Sequence, residues 1–192
     1  MLRPHPKEVI HLKKKSSDSD QQCLFDHVDS NRVASKFIAA YRVMLVRDQT
    51  LPFEAGALSN SREAQSILRK LIKTCGQSDR EQFCVALLNN KNEVIGLNIV
   101  SVGAVSYAHV HPREVLKPAI LASATAMILC HNHPSEDLSP SREDESITAR
   151  IVKAAHILGI KVHEHLIISM WGERYFSFAD AGIIQRIYDE IG

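Results

Sequence analysis

The sequence has no Cys-x-x-Cys pair, no apolar run long enough to span a bilayer, and a net charge of only +1. The first absence removes zinc ribbons and the Pro-Cys-x-x-Cys signature of zinc deaminases. The four cysteines, Cys23, Cys75, Cys84 and Cys130, are scattered, and Cys84 and Cys130 lie in apolar runs where they serve as small hydrophobes. That usage suits a reducing compartment better than a disulfide framework. The second absence argues against a transmembrane helix, and the start shows no secretory apolar segment, so a cytoplasmic protein is expected. The third removes any global electrostatic case for nucleic acid or an anionic membrane. No internal repeat is visible. What is present is ordinary for a globular protein: 192 residues, 45% hydrophobic and 23% charged, enough for one domain with a full core and a short appendage.

Residues 1–30 are polar and irregular, with Pro4, Pro6, the triplet Lys13-Lys14-Lys15 and the run Ser16-Ser17-Asp18-Ser19-Asp20. They read as a flexible tail, or as a weak phosphate-contacting arm through the lysines. Residues 31–60 read as an N-terminal extension. Within it Tyr41, Val43, Leu45 and Arg47 alternate as in an edge strand, which could pair between the subunits of a homodimer. From Ser61 the period becomes helical: Ala64, Ile67, Leu68, Leu71, Ile72 and Cys75 share one face, and Gly76 closes the helix. Segments 83–88 and 94–100 form a hairpin around Asn89-Asn90-Lys91-Asn92. Val105, Tyr107 and His109 suggest a third extended piece.

Pro112 opens a helix that Pro118 should kink. The run Ala126-Met127-Ile128-Leu129-Cys130 reads as a buried strand, followed by a helix at about 142–158 that stops at Gly159. A strand at 160–169, a turn at Trp171-Gly172-Glu173-Arg174, a strand at 175–178 and a helix bearing Ile183, Ile184, Ile187, Tyr188 and Ile191 complete the chain. Helices alternating with a mixed sheet make residues 61–192 a layered α/β (α+β) domain.

Three His-x-His pairs stand out: His109/His111, His131/His133 and His163/His165. In a strand, residues two apart face the same way, so each pair could grip a metal. What separates them is the third ligand. His111-Pro112 is followed by Glu114 but by no well-placed aspartate. His163 and His165 flank Glu164, and there a structural role, or one in support of the ligands, is expected for His165. His131 and His133 leave a central strand, where open α/β sheets place ligands. Asp144 follows in the first turn of the next helix. Two histidines and one carboxylate make a zinc set with one position left for water. Ser141-Arg142-Glu143-Asp144 is also close to a capping box, which by itself accounts for both Ser141 and Asp144.

His131-Asn132-His133-Pro134 through Ser141 and Asp144 is H-x-H-P-x6-S-x2-D, and it resembles the metal motif of JAMM/MPN-type metalloproteases. HNHPS, SPSRED and His111-Pro112-Arg113-Glu114-Val115 resemble the RadC-like branch of that superfamily, over about residues 61–178. The resemblance implies a JAB/MPN, cytidine-deaminase-like architecture. Members usually carry glycine where Glu136 stands and aspartate where Glu164 stands. The helix-hairpin-helix region of longer RadC-like chains is not recognisable.

The resemblance implies zinc held by His131, His133 and Asp144, which lowers the pKa of a bound water far below that of bulk water, toward about 7. It assigns the general base to a glutamate on the first strand, matched by Glu81, with Glu93 in the hairpin turn as the alternative. Ser141 would donate to the oxyanion, a bond worth roughly 3 kcal/mol. The implied reaction is hydrolysis of an amide, in a peptide or isopeptide. The rival reading is a DNA-associated repair or mobile-element accessory protein with a structural or idle metal site. Its support in the residues is confined to the lysine triplet and scattered arginines.

Overall fold

The computed structural model describes residues 42, 44–48, 50, 57–76, 79–103 and 110–192. The element order is α1 (Ser61–Cys75), β1 (Gln82–Leu88), β2 (Val94–Val102), α2 (Pro112–Leu121), β3 (Ala126–Asn132), α3 (Arg142–Ile157), β4 (Lys161–Ile168), β5 (Tyr175–Ser177) and α4 (Ile183–Ile191). The strands form one mixed sheet in the order β2-β1-β3-β4-β5. Among the described strands only β3 and β4 run parallel, and α3 is the crossover that parallel pairing demands.

Each face of the sheet carries its own core. Phe83, Val85, Leu87, Met127, Leu129, Val162 and Ile167 face α2, α3 and α4. Cys84, Ala86, Leu88, Ile128, Cys130, Leu166 and Ile168 face α1. Both β1 and β3 are buried along their whole length, which is why they read as continuous apolar runs. Ile147, Ile151, Val152 and Ala155 pin α3 to the sheet. Full burial of each larger aliphatic side chain contributes about 1.5–3 kcal/mol.

The pairing register places the site. Because β1 is antiparallel to β3, the start of β1 lies beside the end of β3, with Phe83 opposite His131. The strand expected to stop at Cys130 continues through Asn132, because β1 and β4 still pair with it there. His131 is therefore a strand residue, not a loop residue.

Gly76 closes α1 as expected, its N–H donating to the carbonyl of Ile72 at 2.9 Å with φ −103°. The glycine also makes room, since a Cβ there would lie 2.2 Å from Oε1 of Gln82. One local expectation changes. In the segment read as an edge strand, residues 42, 44–48 and 50 lie outside any strand, with Met44 and Val46 exposed. The rest of that segment, the tail at 1–30 and the extended piece at 105–109 lie outside the described residues. Pro118 sits within α2 as expected, and Gly159 takes the left-handed conformation that ends α3.

Candidate metal centre

His131 and His133 come from the end of β3 and the loop after it, Asp144 from the first turn of α3, and Glu81 from the residue before β1. Nε2 of His131 lies 3.0 Å from Nε2 of His133. It lies 3.1 Å from Oδ1 of Asp144, whose Oδ2 is 4.0 Å from Nε2 of His133. Glu81, His131 and His133 each offer a ligand atom, all within 4.8 Å of one another. His131 and His133 thus lie near both Asp144 and Glu81. Ser141 stands beside them.

The hydrogen bonds on the far side of each imidazole decide what faces that point. Nδ1 of His133 lies 2.5 Å from the carbonyl oxygen of Asp137, which can only accept, so Nδ1 carries the proton and Nε2 the lone pair. For His131 the chain of reasoning is longer. The Thr148 hydroxyl lies 2.5 Å from the carbonyl of Asp144 and must donate to it. Its oxygen then accepts from Nδ1 of His165, also 2.5 Å away. Burial holds the His165 pKa well below the ordinary histidine range, so this ring is neutral. Its Nε2 accepts from Nδ1 of His131 at 2.8 Å. The lone pair of His131 is thereby left on Nε2.

Two imidazole lone pairs and a carboxylate are thus held close together, His131 Nε2 within about one hydrogen-bond length of the other two and His133 4.0 Å from Asp144. Without a cation they repel. Nitrogens on one tetrahedral zinc, with bonds of about 2.0–2.1 Å, stand about 3.3 Å apart, close to the separations seen. The donor set therefore fits a divalent metal. In the metal-free chain a shared proton can take the same place.

Asp144 is held on the other side by α3 itself. Ser141 caps the helix: its Oγ accepts from Asp144 N at 3.1 Å, while its N–H and O–H donate to Oδ2 at 2.8 and 2.6 Å. The capping box is real, and it directs the second oxygen of the carboxylate toward His131. The two readings of Ser141 and Asp144 are one arrangement. Burial opposes the charge on Asp144, but in the metal-free chain the shared proton, when on His131 Nε2, and the bonds from Ser141 hold its carboxyl well below the usual range.

The walls are apolar on one side. Phe83 stacks on His131 and Phe178 stacks on His165. His131 is 1% and Asp144 2% exposed, against 15% for His133. Glu81, His133 and Ser141 form the part-exposed side from which a substrate can approach.

Residues 58–183 match the RadC-like JAB domain. The chain belongs to the RadC-like JAB domain family. Among the described residues, its mixed five-stranded sheet with four helices is the α+β layering of the JAB/MPN fold. Among relatives, a UPF0758 protein of Rubrobacter xylanophilus is 44% identical over 76% of this chain and 60% of its own length. One of Symbiobacterium thermophilum is 52% identical over 54% of this chain and 44% of its own length. The chain thus spans about half the length of these curated relatives. The shorter UPF0758 protein YfjY of Escherichia coli is 37% identical over 74% of this chain and 86% of its own length.

Against this RadC-like frame, the sequence reading anticipated a supporting role for His165 but missed three residues. Thr148 is one helical turn beyond Asp144, a spacing with meaning only once His165 is known to face it. Asn132 was passed over as the spacer between two histidines. Glu136 was noted only as a replacement for glycine. It does adopt a left-handed backbone, φ 61°, and its carboxylate accepts from Ser169 Oγ, from Met170 N at 3.0 Å and from Arg174 at 3.3 Å. His111 caps α2 through Nδ1, 3.2 Å from Arg113 N, which accounts for it without a metal. His163 pairs with Asn92 at 3.1 Å.

Proposed function

We propose that this RadC-like domain is a zinc-dependent metallopeptidase-like hydrolase acting on an amide bond of a peptide or isopeptide. The supporting observation is the position of His131 Nε2, 3.0 Å from His133 Nε2 and 3.1 Å from Oδ1 of Asp144, with the tautomer of each ring set from behind. His131, His133 and Asp144 would hold the metal. When bound, zinc supplies a water acidified to a pKa near about 7 and polarises the carbonyl under attack.

The remaining work falls to the chain. Glu81, on the open side, takes the proton of the attacking water and delivers it to the leaving amine, base and then acid. Ser141 supports the oxyanion. Its hydroxyl proton is committed to Asp144 Oδ2 at 2.6 Å, so that service requires the hydroxyl to turn outward. Phe83 and Phe178 keep the inner side dry, which strengthens each of these charged contacts.

The substrate class is a protein or peptide, and the setting is the cytoplasm. Among the described residues no helix is long and apolar enough to cross a membrane. The test is cleavage of a peptide and isopeptide panel by the zinc-loaded chain. Glu81→Gln should remove cleavage, about a hundredfold or more, while retaining the metal. Salt-sensitive retention of DNA with no cleavage of any panel member would favour the accessory-protein reading instead.

A further inference from the structure

Asn132 stands between the two histidines, and its side chain is fully buried. Its Oδ1 accepts from the backbone N–H of Gln82 at 3.0 Å. Its Nδ2 donates to the backbone carbonyl of Arg80 at 2.9 Å. One carboxamide therefore bridges the peptide groups on both sides of Glu81. The carbonyl of Glu81 itself accepts from Gly103 N at 3.0 Å, just beyond the end of β2. Glu81 directly precedes β1.

We propose that Asn132 is the positioning residue for Glu81. Its carboxamide ties the segment carrying Glu81 to the strand carrying His131, so the three ligand atoms within 4.8 Å of one another are referenced to one backbone. Only a side chain with a donor and an acceptor on one planar group can bridge a carbonyl and an N–H in this way. The alternation of β3 makes the arrangement possible. With His131 turned toward the metal point, its neighbour turns to the other side, where the start of β1 runs. This inference rests on the metal reading of the site, and its test separates the two.

The experiment measures zinc content and peptide cleavage for the wild-type chain, Asn132→Ala, Glu81→Gln and the double variant. Amide hydrogen exchange is followed in parallel. Asn132→Ala should still bind one ion per chain but slow cleavage about tenfold, as a displaced base does. It should add nothing in the Glu81→Gln background. Exchange at Gln82 N–H should rise while that of the middle of β1 is unchanged. Equal slowing by Asn132→Ala in both backgrounds, or unaltered protection at Gln82, overturns the inference. A wild-type chain that binds no zinc overturns the metal reading. In that case the Gln82 amide alone decides whether Asn132 anchors the segment. Should the alanine variant not fold, Asn132→Ser keeps a polar atom in place but cannot span both peptides, and the same comparisons apply.

Discussion

His131 has no choice of tautomer, and that follows from residues that never touch the metal point. Thr148 and His165 close a ring from the carbonyl of Asp144 back to Nδ1 of His131. Thr148→Val removes the acceptor of the His165 N–H and lets the His165 ring exchange its proton between nitrogens. Zinc affinity should fall about 10–100-fold, read by chelator competition. His165 also sets a pH dependence. Its folded pKa is depressed, so below about pH 6.5 the unfolded chain binds a proton that the folded chain does not. Stability of the metal-free chain then falls with acidification by about 1.4 kcal/mol per pH unit for this group. In chelator, His165→Gln should remove about one proton from the slope of unfolding free energy between pH 6.5 and 5. An unchanged slope would contradict the neutral assignment. His131, His133 and Asp144 were legible because their chemistry and spacing are local. Thr148 was not, because its meaning lies in a contact with β4 across the crossover.

Two elements hold the loop between the histidines and Asp144. At its far end the α3 capping box orients the carboxylate, and Ser141→Ala should cost about 0.5–2 kcal/mol in urea unfolding while also weakening metal binding. At its middle, Glu136 latches the loop to the β4–β5 turn through Ser169, Met170 and Arg174. The left-handed backbone costs a non-glycine residue about 1 kcal/mol, and those bonds offset it. Glu136→Ala keeps the strain and loses the bonds; Glu136→Gly loses both. The glycine variant should therefore be more stable than the alanine variant by about 1 kcal/mol in urea. The order of helices and strands from Ser61 onward was readable because each apolar face has a clean period. The end of β3 was not, since polar His131 and Asn132 look like a loop until their partners in β1 and β4 are seen. Gly76 shows the same limit: its neighbour Gln82 belongs to another element.

At the scale of the molecule, Glu164 joins the parts. Buried in β4, it accepts from Ser61 at the start of α1, from Ser177 in β5, and from the backbone of Ala179 and His165. Glu164→Ala orphans four donors and should cost on the order of 3 kcal/mol or more by urea denaturation, against less for Glu164→Asp, which keeps an acceptor. The two-faced core of this RadC-like domain thus meets its metal point where β1 begins, β3 ends and α3 starts. The most direct test of the account is metal content with X-ray absorption on the purified chain. The account predicts one zinc per chain with two imidazole nitrogens and oxygen donors in the remaining positions, lost in both His131→Ala and Asp144→Ala. A chain without stoichiometric metal after zinc loading, or one whose metal survives His131→Ala, would contradict it.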